Sequence, residues 1–176
     1  MNRWTAVAVS SVCAVSGGRD SVCLLDCLWR LGQQRDFRVA AAHLNHGMRP
    51  TAQRDEELVR TLCDARNIPL HTERVEVYAL AAAWHLTVEE TGRRARYDFL
   101  RRTAERTGAD FIATAHHRED QAETVLLHLL RGAGTRGLRG IPPVRGRIVR
   151  PLLQTTRAEI EAYLEKNHLG HVEDET

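Results

Sequence analysis

Short apolar runs alternate with amphipathic stretches along this chain, and that alternation restricts its fold more than any other feature of the sequence. Val7–Val15 reads as a buried strand, followed by a glycine turn and a helix over about Ser21–Leu31. Arg38–Leu44 is a second apolar strand. Gln53–Arg66 carries Leu58, Val59 and Leu62 at helical spacing and ends at Asn67-Ile68-Pro69. Leu70–Val77 returns as a strand. Thr87-Val88-Glu89-Glu90 has the spacing of a capping box, so it opens a long charged helix that runs to about Thr107 and closes at Gly108. Phe111–Thr114 is a short strand and Asp120–Leu130 the next helix. Arg131–Gly140 holds four glycines in ten residues and reads as a mobile loop. Ile148–Leu153 is a last strand, and Thr156-Arg157-Ala158-Glu159 is a second capping box for a helix ending at Lys166. Strands and helices at this spacing form parallel βαβ units with right-handed crossovers. The expected class is therefore α/β, a parallel sheet with helices on both faces.

A chain of 176 residues suits a single domain spanning residues 1–176. With 43% hydrophobic and 27% charged residues, it is neither a disordered tail nor a fibre. The longest apolar runs, such as Ala79–Trp84, fall well short of the ~20 residues a membrane span requires. Ala6–Val15 follows the N-terminus as a signal peptide would, but Ser10 and Ser11 interrupt it and Gly17-Gly18-Arg19-Asp20 is a poor cleavage site. Cytoplasmic residence with no membrane contact is expected. Cys13, Cys23, Cys27 and Cys63 include no C-x-x-C pair, which argues against an iron–sulfur or zinc-ribbon site and suits a reducing compartment. The net charge of +2 decides nothing, but its distribution does more. Lys166 is the single lysine, while arginines gather at positions 93, 94, 96, 101, 102 and 106 and again at 131, 136, 139, 145, 147 and 150. A planar guanidinium fork suits phosphate, so such groups mark either a polyanionic partner or solvated helix faces.

In open α/β sheets, ligands bind beyond the carboxyl ends of the strands. That rule selects Ser16–Ser21, His43–Arg49, His116–Glu123 and the glycine loop. Ser16-Gly17-Gly18-Arg19-Asp20-Ser21 leaves a strand and opens a helix. Its glycines let the backbone approach an anion, Ser16 and Ser21 add hydroxyls, and the helix N-terminus adds partial positive charge. It matches neither G-x-G-x-x-G nor G-x-x-x-x-G-K-[ST], which excludes dinucleotide and Walker-type loops. Asp20 would repel phosphate unless it holds Mg²⁺ between itself and the phosphates. The alternative is a plain tight turn. His43 and His46 flank Asn45 at a strand end, positioned either to reach an adenine or its ribose or to cap a loop. His116, Asp120 and Glu123 share one helix face, as a polar substrate site or as core and capping groups. A zinc hydrolase would call for H-E-x-x-H, which is absent. Arg93 and Arg96 either neutralise phosphate or face solvent.

The string Ala14-Val15-Ser16-Gly17-Gly18-Arg19-Asp20-Ser21 resembles the pyrophosphate-binding loop of the N-type ATP pyrophosphatases, the PP-loop superfamily. Those enzymes cleave ATP to AMP and pyrophosphate while adenylating a carbonyl-type oxygen. Three further strings narrow the resemblance: Ala42-His43-Leu44-Asn45-His46-Gly47-Met48-Arg49; Ala115-His116-His117-Arg118-Glu119-Asp120-Gln121-Ala122-Glu123-Thr124; and Leu129-Leu130-Arg131-Gly132-Ala133-Gly134. In this order they resemble the tRNA(Ile)-lysidine synthetases. Glu90 through Tyr97, Arg150-Pro151-Leu152-Leu153 and Arg157-Ala158-Glu159-Ile160 extend the likeness, which covers about Val12 to Thr176.

The resemblance implies a Rossmann-like, adenine nucleotide alpha hydrolase-like catalytic domain using ATP and Mg²⁺. It implies that L-lysine is joined to C2 of the wobble cytidine of tRNA(Ile) with a CAU anticodon, through an adenylated cytidine. Ser16, Gly17, Gly18, Arg19, Asp20 and Ser21 would surround pyrophosphate, with Asp20 on the metal. His43 and Asn45 would meet the nucleotide. Asp20, His116, Asp120 and Arg96 would be the catalytic residues. The chain departs from the family at Ala115, commonly Gly, and at Glu119, often Asp, so Asp120 is the safer carry-over. Gly92 replaces a helix-favouring residue at a cost of roughly 1 kcal/mol. The sequence given ends at Asp174-Glu175-Thr176, where the family continues through D-x-[ST]-N to tRNA-binding domains that lie outside it. Two other readings stand beside this one: a thiolase-type PP-loop enzyme, against which the missing C-x-x-C pair counts, and a nucleotide-binding domain without full activity.

Overall fold

The computed structural model describes residues 9–47, 52–132, 134 and 137–172. Its elements are β1 (Val9–Ala14), α1 (Arg19–Gln34), β2 (Phe37–Asn45), α2 (Ala52–Asp64), β3 (Leu70–Arg74), α3 (Val77–Trp84), α4 (Val88–Thr107), β4 (Phe111–Ala113), α5 (Arg118–Leu130), β5 (Val144–Arg145), β6 (Ile148–Val149) and α6 (Arg157–Lys166). A 3-10 turn spans Gly137–Arg139. The strands form one sheet of order β3-β2-β1-β4-β6-β5. All pairs are parallel except β5, which folds back antiparallel on β6.

Successive residues of the central strands face opposite sides, as the period-two geometry of a strand dictates. Cys13, Ala41 and Ala113 point into one core, against Leu24 and Leu28 of α1, Val59 and Cys63 of α2, and Ile160 and Leu164 of α6. Val12, Ala42, Leu44 and Ile112 point into the other, against Ala95, Phe99, Leu100 and Ala104 of α4. Each fully buried side chain such as Leu24, Leu100 or Ile160 contributes ~1.5–3 kcal/mol relative to exposure. Helices therefore cover both faces of a mostly parallel sheet, the expected class.

Several boundaries and one element differ from expectation. α1 starts at Arg19 rather than Ser21, because Gly18 takes the extended N-cap conformation. α5 starts at Arg118 rather than Asp120: the side chain of His117 accepts from the Glu119 N–H, and the Asp120 carboxylate returns to the His117 N–H at 2.8 Å. The strand expected over Leu70–Val77 stops at Arg74, and Val77 instead opens α3. Periodicity missed α3 because Val77–Trp84 is apolar nearly throughout and has no polar face to set a period. The strand expected over Ile148–Leu153 stops at Val149, where Arg150 turns and Pro151 has no N–H to offer a ladder. The two capping boxes form as expected, Thr87 with Glu90 and Thr156 with Glu159. Val7, Met48, Arg49, Ala133, Arg136 and residues 173–176 lie outside the described residues.

Neither arginine group forms a uniform basic face. Arg101 pairs with Asp98, Arg102 with Glu73 at 2.6 Å, and Arg106 lies 3.2 Å from the His71 ring nitrogen. Arg94 stacks over Trp84. Arg147 donates to the backbone oxygens of Ala109 and Asp110. Arg150 is buried and donates to the Pro142 carbonyl at 2.6 Å. Among the described arginines of these groups, Arg93 and Arg96 reach the cleft described next.

Candidate active site

The connection from β1 runs to β2 on one side of the sheet, while β4 continues to β6 on the other. That reversal opens a crevice at the carboxyl ends of β1 and β4. A cavity of about 620 Å³ fills it, ample for a nucleotide. Ser16, Gly18, Asp20 and Ser21 line it after β1, His43 and Asn45 at the end of β2, and His116 and Asp120 after β4. Arg96 lies on its rim, on α4.

The Ser16–Ser21 loop is organised from within. Ser21 is buried, and its Oγ accepts from the N–H groups of Ser16 at 3.1 Å and Gly17 at 3.2 Å while donating to the Gly18 carbonyl at 2.9 Å. This hydroxyl, expected to face an anion, is spent on loop shape. Gly17 has φ +97°, a backbone region side chains rarely adopt, and its carbonyl accepts from Val172. Neither Gly17 nor Arg19 lines the cleft, and Arg19 pairs with Glu161 of α6. What remains for an anion is the helix end, since the N–H groups of the first turn of α1 have no intrahelical acceptor.

Asp20 stands in that first turn. Its Oδ1 is buried and has no hydrogen-bond partner. Burial pushes its carboxyl up from the ordinary range; His117 opposes this and Asp120 reinforces it. A Mg²⁺ ion takes one or two carboxylates together with substrate phosphates. A buried, unpartnered carboxylate oxygen beside a phosphate-sized loop fits that requirement. No group of three or more His, Cys, Asp or Glu in metal-binding arrangement occurs among the described residues, so the zinc-hydrolase alternative has no ligand set.

His43 is buried, and its Nδ1 lies 2.8 Å from the Val15 carbonyl, so Nδ1 donates and Nε2 is an acceptor. Asn45 Oδ1 accepts from the Gly47 N–H at 2.9 Å, which caps the turn and leaves the amide NH₂. His116 Nδ1 lies 3.1 Å from Thr114 Oγ1. Burial holds the His116 imidazole below its ordinary value; Arg150, Arg93 and Arg96 add to this and Asp120 opposes it. His116 is therefore neutral near pH 7. Glu123, on the expected helix face, is exposed and does not line the cavity.

The sequence reading missed three contributors. His117 is 3% exposed and sits between Asp20 and Asp120. Asp55 lines the cavity with a buried Oδ1 that makes no hydrogen bond and lies 3.8 Å from Arg54 Nε. Tyr97 lines it beside Arg93, whose guanidinium lies 5.8 Å from the ring centre. No local pattern marks Asp55, while Tyr97 closes the Glu90–Tyr97 stretch of the likeness without any local sign that it faces a cavity. His117 was visible as the second of paired histidines, but only the fold distinguishes it from the first.

A family model described as a PP-loop domain matches residues 5–176, and the chain belongs to that family of ATP-using domains. Within it the sequence is similar to the tRNA(Ile)-lysidine synthase of Thermotoga maritima, 45% identical over 163 residues that span 93% of this chain and 39% of that protein. The tRNA(Ile)-lysidine synthase of Deinococcus radiodurans is 50% identical over 152 residues, 85% of this chain and 25% of that protein. The chain thus spans well under half the length of these curated relatives. Among solved structures, the U34-tRNA thiolase NcsA from Methanococcus maripaludis with its [4Fe-4S] cluster superposes with a TM-score of 0.79 at 18% identity, over 94% of this chain and 58% of that one. The NH3-dependent NAD synthetase of Campylobacter jejuni gives 0.60 at 18% identity, over 95% and 67%. These two share the fold.

Proposed function

We propose that this chain is the ATP-using catalytic part of a cytoplasmic tRNA(Ile)-lysidine synthase, joining L-lysine to C2 of the wobble cytidine of CAU-anticodon tRNA(Ile). The observation that carries the reading is the convergence of the Ser16–Ser21 loop, His43 and Asn45, and His116 and Asp120 on one cleft, in a chain 45% identical to such a synthase. The cytidine O2 attacks the α-phosphorus of ATP and pyrophosphate leaves. The ε-amine of lysine, having lost a proton, then attacks C2, and O2 departs with AMP. A leaving polyanion and a cationic nucleophile share one cleft, so fixed charges must be arranged for both. The first-turn N–H groups of α1 receive the pyrophosphate, and Arg96 with Arg93 neutralises it from the rim. Asp20 holds Mg²⁺, which supplies charge screening on the phosphates when bound. His43 Nε2 and the Asn45 amide face the adenine or ribose. Asp120 attracts the lysine ammonium through Oδ1, since Oδ2 is engaged by the His117 N–H. His116, held neutral, is the ring available to take the amine's proton, although burial and the nearby arginines weaken it as a base.

All four cysteines are free, and none lines the cleft, which weighs against a cluster-dependent thiolase. Calorimetric titration of ATP with and without Mg²⁺ tests the first half of the proposal. Wild type is expected to show Mg²⁺-dependent affinity and Asp20→Ala to lose most of that dependence while keeping its melting temperature. Equal affinities in both proteins would refute the assignment. For the second half, pyrophosphate exchange with cognate tRNA should respond to lysine and not to arginine, and the response should weaken in Asp120→Asn.

A further inference from the structure

We infer that His117 is a positioning residue that holds Asp20 and Asp120 at a fixed spacing on the cleft floor, so that Asp20 Oδ1 stays aimed at the nucleotide's metal. This rests on the ATP-binding reading above and assigns a side chain that reading does not use. His117 is the N-cap of α5, a task that Ser, Thr, Asp or Asn performs at least as well. Capping occupies only Nδ1, which lies 3.2 Å from the Glu119 N–H and 3.0 Å from the Glu119 carboxylate. That carboxylate is itself fixed by the Arg157 N–H at 3.1 Å.

Nε2 is left for something else. It lies 3.6 Å from Asp20 Oδ2 and 3.8 Å from Asp120 Oδ2, with the ring 3% exposed. With Nδ1 accepting from the Glu119 N–H, the ring's proton belongs on Nε2, the nitrogen that faces the two carboxylates. Both distances exceed a hydrogen bond and lie within ion-pair range, so the N–H attracts both carboxylates without committing to one. Asp120 is held a second time by the His117 backbone N–H at 2.8 Å. Asp20 Oδ2 is thereby drawn toward the ring, and the oxygen that remains is the unpartnered Oδ1. Without the Nε2 donor, two carboxylates at neighbouring helix N-termini would repel, and Asp20 would rotate.

Two variants separate this role from capping. His117→Asn keeps an acceptor where Nδ1 was but lacks the reach of Nε2, whereas His117→Gln extends an amide donor toward Nε2 and caps poorly. Calorimetry with ATP in the presence and absence of Mg²⁺ is the readout, with melting temperatures recorded alongside. In His117→Asn the Mg²⁺-dependent gain in affinity is expected to fall on the order of tenfold, the low end of what losing an outer partner of a metal-holding carboxylate costs. His117→Gln should retain it to within a few fold despite a lower melting temperature. A His117→Asn protein that binds like wild type, or equal losses in both variants, would overturn the inference. On wild-type protein, ¹⁵N spectra of the histidine rings give an independent reading: His117 must be protonated at Nε2, and a bare Nε2 also overturns it. If wild type itself shows no Mg²⁺-dependent ATP binding, the ATP-binding reading fails instead.

Discussion

Burial first, then the Arg96 cation and His43, push the His46 imidazole down to about 4. An Arg96 nitrogen approaches its Nε2 at 3.5 Å, which makes that nitrogen the acceptor and leaves the Nδ1 proton buried without a partner. The consequence for stability has a definite sign. As pH falls, the unfolded chain protonates this histidine through its ordinary 6.5, while the folded protein stays neutral until about 4. Folding stability therefore declines across that window. His46→Asn is expected to flatten the pH dependence of urea unfolding between 6.5 and 4. The change should be at most about 1.4 kcal/mol per pH unit, one proton's worth. An unaltered slope would mean that this ring titrates like one in water.

On α4, Gly92 lies inside the helix, where glycine costs about 1 kcal/mol relative to alanine. A Cβ there would meet the His46 ring at 3.7 Å, an ordinary contact. Gly92→Ala is thus expected to stabilise by roughly 0.5–1 kcal/mol in chemical denaturation. A loss would show that the helix and the β2 end cannot move apart by even a methyl radius. Thr87→Ala, which removes one half of the α4 capping box, should cost about 1 kcal/mol by the same measurement. α5 behaves differently from the other helices. None of its residues is buried, and Leu130 is 85% exposed. Its leucines look like core in the sequence, yet within this chain the helix is held mainly at its N-terminus, by His117 and Asp120, and by Gln121, which accepts from the Ile141 N–H at 2.5 Å.

Asp26 ties distant parts of the chain together. It is 2% exposed and accepts from Arg30 at 2.6 Å, from Arg66 beyond α2 at 2.9 Å and from the Tyr163 hydroxyl of α6 at 2.7 Å. Burial by itself would raise its carboxyl; the hydrogen bonds from Arg30, Tyr163 and Arg66 outweigh that and hold it below 3.8. Its contribution is fully present above that value and fades as pH falls through the lower folded one. Asp26→Ala strands a largely buried guanidinium and should cost about 3 kcal/mol. Thermal or urea unfolding at pH 7 and again near pH 2 checks both size and sign, since the penalty shrinks in acid. For RNA, the paired state of most α4 arginines leaves Arg93 and Arg96 as the basic groups at the cleft. Residues 1–176 are accordingly expected to bind tRNA only in the ~10⁻⁴–10⁻⁶ M range of non-specific contacts, with affinity falling steeply with salt. Filter binding of isoleucine and other tRNAs at two salt concentrations measures this, and tight selective binding would contradict it.

The alternation of strands and helices, the two capping boxes, the Ser16–Ser21 loop and the spacing of His116 and Asp120 were all legible along the chain, because each depends on residues a few positions apart. Local chemistry decides such features wherever they are placed. The orientation of side chains was not legible, because it depends on partners far away in sequence. Ser16–Ser21 is one motif on paper, yet Arg19 leaves it for Glu161 and Ser21 turns inward, while Asp20 alone offers a free carboxylate oxygen. His116 and His117 are adjacent and chemically identical. The strand-to-helix turn points the first at Thr114 and the cavity, and the second into a buried space between two carboxylates brought together by the reversal of strand order. Composition and spacing specify which groups are available. Which of them face a ligand, and which hold the others in place, follows from burial and charge that exist only once the sheet has assembled.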